Sequence, residues 1–137
     1  MLFVCLYRWG LMVSKVKIRV LIVDDSSDFR ETLHGFLAKR TTLEVVGQAC
    51  NGHEALKLSK ELNPDVVVMD VNMPVLDGIQ ATREISKLCP GVKVIAHTLE
   101  SCELSKNGML QAGAYDYLSK VGRPAKLIKA IEKVAAA

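Results

Sequence analysis

From Lys17 onward the chain alternates short, unbroken apolar runs with longer segments whose apolar residues recur at helical spacing. Ile18–Val23 (IRVLIV) is continuous and rich in β-branched residues, the pattern of a strand buried on both faces. The segment SSDFRETLHGFLAKR follows, with Phe29, Leu33, Phe36 and Leu37 at helical spacing behind a Ser/Asp cap. Leu43–Ala49 reads as a second strand, and NGHEALKLSKEL as a helix that opens on Asn51 with Glu54 three residues on, and stops at Asn63-Pro64. A third buried strand, Val66–Met69, runs into Asp70 and the turn-rich NMPVLDG. GIQATREISKL predicts a helix with Ile79, Ile85 and Leu88 on one face; Pro90-Gly91 breaks the chain before the fourth strand, KVIAHT. SCELSKNGMLQAGA reads as a helix weakened by Asn107-Gly108 and closed by Gly113, AYDYLSK as a short fifth strand, and Leu127, Ile128, Ile131 and Val134 mark an amphipathic end helix. Five β–α units at this spacing imply a parallel sheet covered by helices on both sides.

Composition changes this picture little and charge sharpens it. The chain has 137 residues, half of them hydrophobic, which suits one compact domain and argues against intrinsic disorder. Its net charge of +3 and pI near 8.7 invite a nucleic-acid reading. However, residues 1–23 hold four basic residues (Arg8, Lys15, Lys17, Arg19) and no acid, which leaves the rest of the chain one charge net negative. No direct DNA binding is expected, and Lys126, Lys129 and Lys133 read as a solvated helix face. Cys5, Cys50, Cys89 and Cys102 are scattered without metal-ligand spacing, as for free thiols in a reducing compartment. The opening MLFVCLYRWGLMV is too short, and too interrupted by Arg8, to span a bilayer, and it makes a poor signal peptide. Residues 1–16 are therefore expected to be a leader, disordered or an extended start, with Met12 a second plausible beginning. A domain over 17–137 and a cytoplasmic location follow as expectations.

Parallel sheets of this kind place their sites at the carboxyl ends of the strands. There the first strand runs into Asp24-Asp25, the third into Asp70, the fourth into Thr98, and the fifth reaches Lys120. Three carboxylates at one edge repel one another unless a divalent cation sits among them, and oxygen-only ligands in a hydrated site suit Mg²⁺. A lysine and a hydroxyl nearby supply what a transferring phosphoryl group needs, and a carboxylate can itself accept that group as an aspartyl-phosphate. The residues alone thus point to Mg²⁺-assisted phosphoryl transfer to Asp70.

VLIVDDSSDFRETL, PDVVVMDVNMPVLDGIQATREI, VIAHT and AGAYDYLSK, in this order, resemble the receiver domain of two-component response regulators over roughly residues 17–135. The resemblance implies a flavodoxin-like, doubly wound (βα)5 fold with strand order 2-1-3-4-5. It implies that Asp70 takes a phosphoryl group from a phosphohistidine on a sensor histidine kinase or histidine phosphotransfer protein. Asp25, Asp70 and the backbone carbonyl of Asn72 would bind Mg²⁺ directly, with Asp24 assisting through water. Thr98 and Lys120 would contact the phosphoryl oxygens, and Tyr117 would be the aromatic switch that alters the face of the fourth helix, fifth strand and last helix for a downstream protein. Asn72 and Glu100 match positions that tune autodephosphorylation. Phosphorylation from a phosphodonor, autodephosphorylation, and a monomer or phosphorylation-dependent dimer belong to the same expectation.

Two departures stand out. Leu99 follows Thr98 where many members carry a small residue, which implies slower access by small phosphodonors or phosphatases. Lys120 is followed by Val121-Gly122-Arg123-Pro124, the spacing of NarL/FixJ-type receivers that precede a helix-turn-helix domain, yet the sequence given stops at Ala137. A phosphate-relay receiver and a remnant of a transcription regulator lacking its DNA-binding half are the alternatives within this reading. A haloacid-dehalogenase-like phosphatase is the rival from another class, but its D-x-D-x-T pattern is here Asp70-Val71-Asn72-Met73-Pro74, without the second acid. His97 reads as a core or strand-end histidine.

Overall fold

The computed structural model describes residues 2–7, 10–99 and 102–137, with side chains from residue 16 onward. Residues Leu2–Tyr7 (β1) and Gly10–Lys15 (β2) pair as an antiparallel ribbon, from Leu2 opposite Lys15 to Tyr7 opposite Gly10. Two short β-prone runs close together in sequence can satisfy each other's backbone polar groups. The body then runs β3 (Ile18–Val23), α1 (Ser27–Ala38), β4 (Leu43–Ala49), α2 (Gly52–Leu62), β5 (Val66–Met69), α3 (Gly78–Leu88), β6 (Lys93–Thr98), α4 (Glu103–Ala112), β7 (Asp116–Ser119) and α5 (Pro124–Ala136). The five body strands form one parallel sheet in the order β4-β3-β5-β6-β7, which is 2-1-3-4-5 counted from Ile18.

Helix starts follow their caps. Ser26, Asn51, Asp77 and Cys102 each accept a hydrogen bond from a first-turn N–H of α1, α2, α3 and α4, while Pro124 opens α5. Asn63 and Gly113 close α2 and α4 in the left-handed region. The α4 segment, weakened by its internal glycine, nonetheless forms: a Cβ at Gly108 would stand 2.8 Å from Ile79 Cδ1, so the missing side chain lets α3 and α4 approach.

Two apolar layers flank the sheet. One, around Leu21, Met69, Ile85 and Met109, packs α2, α3 and α4; the other, around Ile22, Leu37, Ile95 and Ile131, packs α1 and α5. Two helix faces differ from the pattern reading. Phe36 and Leu88 are exposed, because α1 turns Leu33 and Leu37 inward and α3 turns Ala81, Thr82 and Ile85 inward. Lys126, Lys129 and Lys133 are exposed on α5, as a solvated face requires. No helix among the described residues is long and apolar enough to cross a membrane.

Candidate functional site

The carboxyl edge of the sheet gathers the residues that the sequence places at strand ends. The backbone brings Asp24 and Asp70 side by side, since Asp70 N–H donates to the Val23 carbonyl at 2.9 Å and Asp24 N–H to the Ala49 carbonyl at 3.0 Å. Asp24 and Asp70 are buried and Asp25 is exposed, and oxygens from all three carboxylates lie within 4.8 Å of one another. Thr98, 1% exposed, ends β6, and its carbonyl accepts the Lys120 N–H at 2.8 Å. The Lys120 side chain reaches back across the edge, with Nζ bonded to Asp24 Oδ2 and 3.5 Å from Asp70 Oδ2. Around them is an open cleft of about 360 Å³ lined also by Ser26, Phe29, Asn72 and Leu99.

Charge is out of balance here. Burial raises the Asp70 pKa, the Lys120 ammonium lowers it, and the charges of Asp24 and Asp25 raise it further; the result is about 6 against an ordinary 3.8. One buried ammonium against three carboxylates leaves surplus negative charge among oxygen donors. That donor set suits a hard divalent cation such as Mg²⁺.

Second, the loop between β5 and α3 is pinned at both ends. Gly78 N–H donates to the Val71 carbonyl at 2.9 Å, and a Cβ on Gly78 would sit 2.1 Å from the Asp70 carbonyl oxygen. Gly52 N–H donates to the Leu76 carbonyl at 3.2 Å, and a Cβ there would sit 2.4 Å from that oxygen. Between these points Val75 adopts φ 74°, in the left-handed region.

Tyr117 lies away from the cleft. It is half-buried on β7, packed against the α2–α4 layer, and lines a separate surface groove with Cys102, Glu103, Lys106 and Lys126. Glu100 is outside the described residues. Three contributors escaped the sequence reading: Phe29, whose ring lies beneath the Lys120 ammonium; Arg30, whose Nη1 donates to the Asp24 carbonyl at 2.5 Å; and Gln48, which accepts from Arg30 Nε at 3.2 Å. In the sequence Phe29 is only one apolar position of a helix, and neither Arg30 nor Gln48 carries a motif.

The model of the response regulator receiver domain matches residues 20–132. The chain belongs to that family. This receiver domain is 44% identical to the response regulator GacA of Pseudomonas viridiflava over 85% of its own length and 55% of GacA. It therefore spans about half of that relative. It is 40% identical to the chemotaxis protein CheY of Thermotoga maritima over 85% of its own length and 96% of CheY. Among solved structures, the signal receiver domain of the putative response regulator NarL from Mycobacterium tuberculosis superposes with a TM-score of 0.85 at 30% identity, covering 88% of this chain and 98% of that one. The response regulator domain of Thermotoga maritima CheB gives 0.82 at 31% identity, covering 89% and 98%. The fold is the flavodoxin-like, CheY-type receiver fold, and the dehalogenase-like alternative falls away. Phosphorylation on an aspartate, Mg²⁺ binding in an acidic pocket, and engagement of histidine kinases and downstream effectors are general to this family.

Proposed function

We propose that Asp70 is the phosphoryl acceptor of this receiver domain, and that Asp24, Asp25, Asp70 and the Asn72 carbonyl hold Mg²⁺. The observation that carries the reading is the cluster itself: three carboxylates within 4.8 Å with the Lys120 ammonium inserted between Asp24 and Asp70. Bound there, Mg²⁺ would offset the carboxylate charge and that of the incoming phosphoryl group. In the transfer, an Asp70 carboxylate oxygen attacks phosphorus as the P–N bond to the donor's imidazole breaks, and the leaving nitrogen keeps the bonding pair. Lys120 neutralises charge on the phosphoryl oxygens and the Thr98 hydroxyl donates a hydrogen bond to one of them. Leu99, 67% exposed at the cleft mouth, narrows access for small phosphodonors and phosphatases. The donor is a phosphohistidine on a sensor kinase or phosphotransfer protein.

The output is a contact. The acceptor gains about −2 of charge, Thr98 is drawn toward it, and Tyr117 takes up the space released, which reshapes the α4–β7–α5 face for a downstream protein. Moving such a two-state equilibrium from 1:99 to 99:1 requires about 5.5 kcal/mol of differential stabilisation, a demand that several charge-assisted hydrogen bonds can meet. Incubation with Mg²⁺ and acetyl phosphate, or with a cognate kinase, should give one acid-labile phosphate per chain, absent from Asp70→Asn. Retention of that phosphate by Asp70→Asn, or its absence from the wild type with every donor, would sink the assignment.

A further inference from the structure

The Lys120 ammonium has a third neighbour besides its two carboxylates. Its Nζ lies 4.3 Å from the centroid of the Phe29 ring, and the Lys120 side chain is only 7% exposed. Phe29 sits in the first turn of α1, half-buried at the edge of the acidic cleft. Its ring is in turn braced by His97 of β6, the residue before Thr98, with centroids 5.7 Å apart and planes inclined by 45°. Burial and the nearby Lys120 charge push His97 down to about 4, so at neutral pH this brace is an uncharged ring that adds no repulsion against the ammonium.

We infer that Phe29 is a positioning residue for Lys120, its ring face holding the ammonium in the cleft where phosphoryl oxygens will meet it. The inference rests on the roles proposed above for Asp70 and Lys120. Its logic is one of competing attractions. The carboxylates that pair with Lys120, those of Asp24 and Asp70, are the ones a divalent cation claims, and their pull on the lysine weakens as the cation neutralises them. The attraction between an ammonium and the face of a benzene ring comes from the ring's quadrupole and does not depend on those carboxylates. A ring beneath Nζ therefore keeps a long, flexible side chain from swinging into solvent when its ionic partners are engaged elsewhere. An aliphatic residue of similar bulk would fill the space without supplying this hold.

The test compares the full chain with Phe29→Leu and Phe29→Tyr in three measurements. Calorimetric titration with Mg²⁺ should give dissociation constants within about threefold for all three proteins, since the ring offers the cation no ligand atom. Titration with beryllofluoride in saturating Mg²⁺ should show binding weakened about 5- to 30-fold in Phe29→Leu, the range for a partly desolvated cation–π contact, with Phe29→Tyr within about threefold of wild type. Nuclear magnetic resonance of the wild type should place the Lys120 ε-methylene protons upfield of free lysine by ring current. Unweakened beryllofluoride binding in Phe29→Leu, or equal weakening in Phe29→Tyr, overturns the inference. So does an unshifted Lys120 methylene signal, a result that needs no variant to fold. A wild type that binds no beryllofluoride and takes no phosphate at Asp70 instead overturns the proposed function, while the methylene signal still decides whether the ring holds the lysine.

Discussion

At Asp70 burial outweighs the ammonium of Lys120, and with the charges of Asp24 and Asp25 it pushes the carboxyl up to about 6. In the unfolded chain the same group titrates near 3.8, so between these values the folded protein holds more protons than the unfolded one. Stability in the absence of divalent metal must then fall as pH rises through this window, and the full cost, about 2–3 kcal/mol, is present above pH 6. Asp70→Asn removes the charge, so its melting temperature in chelator should exceed that of the wild type at pH 7.5 and approach it near pH 4. Thermal denaturation across that range checks both the sign and the window, and added Mg²⁺ should close the gap at pH 7.5. A gap that widened toward acid would contradict the imbalance seen at the cleft. The strand-end acids, Thr98 and Lys120 were legible because in a parallel sheet the end of every strand reaches the same edge. What Lys120 touches was not: its bond to Asp24 spans 96 positions, and its seat over Phe29 depends on how α1 rolls against the sheet.

Elements were read well where a local signal marks their ends. Ile18–Val23, Leu43–Ala49, Val66–Met69 and Gly78–Leu88 begin and end where the pattern places them, because β-branched runs, Asn63-Pro64 and the Asp77 cap mark boundaries locally. In the loop from Asp70 to Gly78 the sequence shows the turn and the residues that would serve the metal, Asp70 and Asn72, but not how the loop is packed. Its two glycine contacts are tertiary, and no local rule reveals that the first residue of α3 lies against the backbone of the residue proposed to be phosphorylated. Gly78→Ala drives a methyl into the Asp70 carbonyl oxygen and should lower stability by about 2–3 kcal/mol, seen as a lower urea midpoint with an unchanged slope. Val75 gives the opposite expectation. A β-branched residue at φ 74° costs about 1–2 kcal/mol, partly offset in glycine by greater freedom in the unfolded chain. Val75→Gly should therefore raise stability by about 1 kcal/mol at most, seen as a higher urea midpoint.

At the scale of the whole molecule, the sheet has a direction. The acidic cleft lies at the carboxyl edge, and the β1–β2 ribbon meets the body at the opposite, amino edge, where Ile18 N–H is already bonded to the Thr42 carbonyl at 2.8 Å. Between its two ends β3 is flanked on one side by β4 and on the other by β5, so its ladder is complete without the ribbon. A chain lacking residues 1–11 should accordingly unfold within about 0.5 kcal/mol of the full chain; a larger loss, measured in urea, would mean that the ribbon supports the body. Six residues of extended strand separate the two edges by about 20 Å. A biotin or an affinity handle attached through the ribbon would thus anchor the protein to a sensor chip with its acidic mouth turned to the flowing solution, and a kinase could approach as freely as it does in solution.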